Sequence, residues 1–184
     1  MNNIYLKIKK AKRKYPWGRS CFFGEPDLTN DILDKVYEDE IFIAQINLEQ
    51  FRYFYNTPLL PKTGILSFFI RLNDMSPIVR YHEDIEYNNE RDSRVDFNGD
   101  VDLQYNLNVE YIIKFTRLKH KTKSRFLWEN PKYNELGENE IVLLQYFSKD
   151  CLYLNDTFSR LLFVIDKESL LQRDYSQVRL LILH

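Results

Sequence analysis

Two apolar runs a hundred residues apart carry the same pattern. Residues 41–47 read IFIAQIN and residues 141–147 read IVLLQYF, each with a glutamine at the fifth position, Gln45 and Gln145. Compact apolar runs of this length, rich in isoleucine, leucine and valine, are candidates for buried strands. An amide inside such a run must find hydrogen-bond partners once water is gone, so its place is structurally constrained. Downstream, ILSFFIRLND from Ile65 resembles RLLFVIDKES from Arg160, again an apolar strand running into a polar turn. The pairs recur in the same order with similar gaps, the signature of two β units pairing about an approximate two-fold axis. Short apolar runs also match by chance, so spacing alone leaves duplication and coincidence both open.

The rest of the chain reads the same way. Ile4, Leu6 and Ile8 alternate with Tyr5, Lys7 and Lys9, a strand with one wet face. Pro77 to His82, Leu161 to Ile165 and Val178 to Leu183 are further short strands. From Leu103 to Phe115 apolar and polar residues alternate, with Ile112 the exception, which predicts a long antiparallel strand or strand pair. Leu48 to Phe54 predicts a short helix stopped before Pro58, and Asp166 is placed to cap another over Lys167 to Gln172. Gly and Pro mark a loop through Tyr15–Gly18 and Gly24–Asp27, and the acidic stretch from Glu83 to Asp102 predicts a long loop. The expected fold class is mainly β (β-rich α+β): antiparallel sheets from two pseudo-symmetric, internally duplicated halves with a few short helices. The 184 residues suit a single domain, with halves over roughly 20–100 and 101–184.

Chemistry is harder to find. His82, His120 and His184 share no metal-ligand spacing, the five glycines form no phosphate loop, and no Gly-x-Ser-x-Gly elbow occurs. Asp96 to Asp102 misses the calcium-loop pattern, because its glycine falls one position early and Leu107 stands where a bidentate glutamate is needed. Cys21 and Cys151 lie far apart and read as two reduced thiols. No cofactor and no catalytic residue is expected. Lysines interrupt the N-terminal run where a signal peptide needs an apolar core, and no stretch is long and apolar enough for a membrane span, so the expected location is the cytoplasm.

Charge is the informative feature. A net charge of −1 hides strong segregation: residues 1–24 and 111–128 contain no acid, and together hold 13 of the 26 basic residues. If the two stretches fold side by side, Lys10, Lys12, Arg13, Lys14, Arg117, Lys119, Lys121, Lys123 and Arg125 form one basic face. The plain alternative is that the N-terminal lysines protect an exposed sheet edge against aggregation and that the second cluster is a solvated hairpin.

Four segments carry a family resemblance. They are Phe23-Gly24-Glu25-Pro26-Asp27-Leu28; Phe42 to Leu48 with Leu60 to Leu66 and Phe68 to Ile70; Asn130 to Tyr133 with Leu143 to Gln145; and Phe163 to Asp166 with Leu170, Arg173 to Ser176 and Val178. With them the chain resembles the YwqG-like family of bacterial domains, which has no established activity. The resemblance implies a mainly β fold with an internal duplication and, through relatives near toxin–immunity loci, an immunity-like or regulatory interaction role. It departs where the family's Trp-Gly-Asp turn stands here as Leu154-Asn155-Asp156, and where basic residues Lys119 to Arg125 replace a glycine-rich segment.

The function expected is therefore a non-enzymatic interaction module with an acidic protein partner. One alternative is a small-ligand site or enzyme at the junction of the halves, near Gln45, Gln145 and Asp156; another is nucleic-acid binding through the basic face. The sequence leaves the oligomeric state open.

Overall fold

The computed structural model describes residues 4–12, 18–28, 39–83, 109–129, 132–151 and 159–183. Ten strands form one antiparallel sheet: β1 Tyr5–Lys10, β2 Cys21–Phe22, β3 Glu40–Asn47, β4 Ile65–Arg71, β5 Pro77–His82, β6 Tyr111–Thr116, β7 Arg125–Trp128, β8 Glu140–Phe147, β9 Arg160–Asp166 and β10 Arg179–Leu183. Three short α-helices accompany them among the described residues: α1 Leu48–Arg52, α2 Ser148–Cys151 and α3 Lys167–Gln172. The mainly β expectation holds. Asp166 caps α3 as its position predicted, its Oδ1 accepting from the backbone N–H of Glu168 and Ser169 at 2.9 and 3.0 Å. The expected strand over 103–108, the acidic loop to Asp102 and the turn at Asp96–Asp102 lie outside the described residues; Tyr111–Thr116 is the described part of the alternating run.

The strands stand in the order β10-β9-β8-β7-β1-β6-β2-β3-β4-β5. Alternation sends Ile4, Leu6, Ile113, Phe115, Ile41, Ile43, Ile46, Leu66, Phe68, Leu161 and Phe163 to one face, where they share a single apolar core. The sheet curls around that core until its far flanks meet. Phe68 of β4 and Phe163 of β9 pack edge to face with centroids 5.2 Å apart, and Tyr81 of β5 lies 6.2 Å from Tyr175, in the turn before β10.

The two apolar runs sit in matching surroundings. β3 pairs with β4 from Glu40↔Arg71 to Asn47↔Ile65, with a bulge between Phe42 and Ala44. β8 pairs with β9 from Glu140↔Asp166 to Phe147↔Arg160, with a bulge between Val142 and Leu144. Each run leads directly into a helix, α1 or α2. Each is also flanked by a strand too short to show a period in sequence: Cys21 of β2 opposes Gln45, and Arg125 of β7 opposes Gln145. The residue after each central pair, Phe23 or Leu127, has positive φ, at 54° and 48°. Such values are uncommon for bulky side chains; Phe23 directly follows β2, whereas Leu127 lies within β7.

Candidate interaction surface

The basic stretches meet at the centre of the sheet. β1 lies between β7 and β6, and it pairs with β6 along its whole length, from Tyr5↔Thr116 to Lys10↔Tyr111. In that register Lys7 opposes Lys114 and Lys9 opposes Ile112. Side chains directly opposite in an antiparallel pair share a face, so Lys7, Lys9 and Lys114 form one strip, and all three are exposed. Lys10 points to the face of Leu6 and Ile8, but it sits at the strand end and is exposed, as is Lys12. No ion pair joins these lysines to an acid among the described residues. Arg13 and Lys14 lie outside the described residues.

This arrangement narrows the edge-protection reading. Among the described residues the sheet ends at β5 and β10, and β1 pairs with β6 along its whole length but with β7 only at Tyr5↔Arg125. The β6 side of β1 is fully paired, so any edge-protecting work by Lys7 and Lys9 is confined to the β7 side beyond Tyr5. Like charges directly opposite are destabilising, so the strip is carried at a small cost.

The second basic stretch divides by role. The Arg117 guanidinium donates from Nε and Nη2 to the Phe54 carbonyl at 3.0 and 2.7 Å, tying the loop after β6 to the end of α1. Arg125 is half-buried, lies over the Tyr5 ring at 4.7 Å and donates to the carbonyls of Thr122 and Ser124. Burial lowers its pKa from the ordinary arginine value. These two arginines hold the loop in place. Lys119, Lys121 and Lys123 are exposed, with the Lys123 ammonium 5.0 Å from the Phe147 ring. The hydroxyl of Thr122 donates to the Leu6 carbonyl, so the loop wraps across the start of β1.

The glutamines lie on two separate flanks, five strand positions apart in the sheet, and each is tied to other parts of the chain. Gln45 Oε1 accepts from the Asp27 backbone N–H at 2.8 Å, and its Nε2 donates to the Arg19 carbonyl and Asp27 Oδ2 at 2.7 and 2.6 Å. This pins the segment ending in Leu28 over the outer apolar cluster of Cys21, Phe42 and Phe69. Gln145 Oε1 accepts from the Tyr133 hydroxyl at 2.7 Å, and its Nε2 donates to the Lys123 carbonyl. There Trp128, Tyr133 and Leu136 cover Val142, Leu162 and Val164. Asp156, the third junction residue, lies outside the described residues.

A pair of serines repeats the same logic and was invisible in sequence. Ser20 Oγ accepts from the Asn47 N–H at 2.9 Å and donates to Gln50 Oε1 at 3.1 Å. Ser124 Oγ accepts from the Phe147 N–H at 3.0 Å and donates to Asp150 Oδ2 at 2.7 Å. Both serines are fully buried and fully occupied, which suits bracing and leaves no room for a nucleophile's approach. Burial pushes the Cys151 thiol far above its ordinary value, and both cysteines are buried and unbridged. A small hollow beside α1, lined by Phe51, Arg52, Tyr55 and Leu60, has a volume of about 10 Å³, room for one water. Among the described residues, no group of histidine, cysteine and carboxylate side chains could hold a metal. No described helix is long and apolar enough to cross a membrane.

What stands out is thus a curled antiparallel sheet covered on both outer flanks, with an uncovered lysine strip between the covers. Residues 20–140 match the family model DUF1963, a domain of unknown function, and the chain belongs to that family. No curated protein matches the chain.

Proposed function

We propose that this chain is an internally duplicated, non-enzymatic interaction module of the YwqG-like kind, docking an acidic partner protein on the lysine strip of β1 and β6. Duplication is supported by the shared register and bulge of the β3–β4 and β8–β9 pairs, and by the matched brackets of Ser20 and Ser124. On that reading β1 and β6 are counterparts that face one another across the axis. The docking role rests on one observation: Lys7 opposes Lys114 in mid-sheet, exposed and with no acid paired to it among the described residues. An exposed like-charge pair with no acid beside it among the described residues is well placed to meet carboxylates from outside. The polar clusters beneath the surface are consumed in holding the covers, which supports a role without catalysis.

The test is a titration of the full chain with a fluorescent polyglutamate peptide and, separately, a single-stranded oligonucleotide of matched charge. The expected result is polyglutamate binding that weakens steeply with salt and falls at least about tenfold, or about 1.4 kcal/mol, in Lys7→Glu/Lys114→Glu. Stronger binding to the oligonucleotide would move the proposal to nucleic acid. Binding untouched by the double substitution would remove the strip from the interface.

A further inference from the structure

Four large apolar side chains stand exposed among the described residues: Tyr53, Leu72, Leu118 and Leu171. Exposed apolar groups standing singly are ordinary. Two of these do not stand singly. Leu118 follows Arg117 and Tyr53 precedes Phe54, and the Arg117 guanidinium joins the two segments through the Phe54 carbonyl at 2.7 and 3.0 Å. Beneath that bridge the Phe54 ring lies 6.1 Å from Phe115, which packs 5.3 Å from Phe51 in the core. The end of α1 and the loop leaving β6 are therefore fixed against each other, and next to the bridging residues in the chain Tyr53 is 77% and Leu118 73% exposed. Leu118 follows Lys114 of the strip by four residues, within about 13 Å of extended chain. Lys119 and Lys121 continue the same loop, both exposed.

Charges at an interface set encounter rate and specificity, while a few desolvated anchors, often aromatic, supply most of the affinity. Resting on the docking role proposed above, we infer that Tyr53 and Leu118 are the apolar anchor of that interface, and that the partner presents a peptide segment with apolar side chains among its carboxylates. An anionic lipid surface would meet the same charges, but the geometry favours a peptide. Membrane-surface helices offer a continuous apolar face over several turns. Helix α1 has five residues and turns its own apolar side chains, Leu48 and Phe51, inward. The anchor is instead two side chains on separate, rigidly bridged segments, a shape suited to a pocket or knob on a protein.

The experiment uses the full chain and two fluorescent acidic peptides of equal length and charge, one alternating glutamate with glycine, the other with leucines replacing some of the glycines. The leucine peptide is expected to bind at least about tenfold tighter, the scale of one or two interface anchors. That advantage should persist at high salt and vanish in Tyr53→Ser/Leu118→Ser, which should still bind the glycine peptide as the parent does. Both substitutions lie on the surface, and a thermal melt checks that the fold is kept. Equal affinity for the two peptides, with both lost in Lys7→Glu/Lys114→Glu, would refute the anchor and keep the docking face. Binding of neither peptide would refute the docking face itself. Tighter binding to phosphatidylserine vesicles than to either peptide, lost in the serine variant, would overturn the inference in favour of a lipid surface.

Discussion

Replacing Lys7 by glutamate should stabilise the protein. Lys7 lies opposite Lys114 in the β1–β6 register, and both side chains are exposed. With the two charges about 6 Å apart in water, their repulsion is about 0.7 kcal/mol before screening. Reversing one sign turns that repulsion into attraction, a swing of about 1.4 kcal/mol. At 0.1 M salt the Debye length is about 10 Å, which leaves about 0.8 kcal/mol; at 1 M it is about 3 Å, which leaves about 0.2 kcal/mol. For a chain of this size the first figure raises Tm by about 2–3 °C and the second by less than a degree. Lysine and glutamate are both poor strand formers, so propensity does not mask the effect. Melts of parent and Lys7→Glu, followed by circular dichroism at both salt concentrations, measure it directly. A lower Tm in the variant, or a gain that high salt leaves intact, would refute the electrostatic account of the strip. The same substitution should weaken polyglutamate binding. A surface whose mutation gains stability and loses binding is one held for function against stability.

Two further perturbations test the scaffold. Glu40 is fully buried and its carboxylate takes both Arg80 Nη groups at 2.6 and 2.8 Å, whereas Glu140 meets Arg179 at 2.7 and 2.6 Å in a more open site. Urea unfolding should therefore show Glu40→Gln losing about 2–4 kcal/mol, because the fully buried site loses its charged acceptor for the Arg80 guanidinium, and Glu140→Gln about 1 kcal/mol or less. Equal losses would contradict the burial argument. The Arg179 hydrogen bonds hold the Glu140 pKa below its ordinary 4.5, so its contribution is complete above that value and lost as pH falls through the folded pKa. The gap between parent and Glu140→Gln should accordingly close in acid. Gly64 has φ +92°, and a Cβ there would stand 2.4 Å from the His82 carbonyl oxygen and 2.7 Å from the Tyr81 ring. Gly64→Ala should cost at least about 3 kcal/mol by urea unfolding, and a loss under about 1 kcal/mol would show that β4 and β5 separate there easily.

The sequence made the long strands legible because both faces of β3, β8 and β9 are buried, which writes a continuous apolar run into the chain. It also showed which way β1 faces, since Leu6 is buried while Lys7 and Lys9 are exposed, as the alternation required. β2 and β7 stayed hidden, because two and four residues are too few to show a period. The glutamines were rightly read as constrained, but their partners come from elsewhere in the chain: Asp27 for one, Tyr133 for the other. No local pattern announces such pairings. The place of β1 was the costliest omission. Lysine alternation gives no sign of where a strand sits in the sheet, and only the sheet order shows that β1 lies between β7 and β6.

That order explains why charge concentrates where it does. β1 leads towards β2 and β6 leads towards β7, yet in the sheet β1 sits against β7 and β6 against β2. Each first strand has crossed to the far flank, which leaves the two first strands paired with each other. On the proposed duplication, this exchange places one ancestral strand against its own copy, so any residue on its outer face appears twice at the axis. A lone lysine there becomes a lysine pair, as Lys7 and Lys114 do. Duplication alone would have spread that charge over two distant surfaces. Duplication with exchange would gather it into one strip, bounded on either side by the covers that Gln45 and Gln145 pin down.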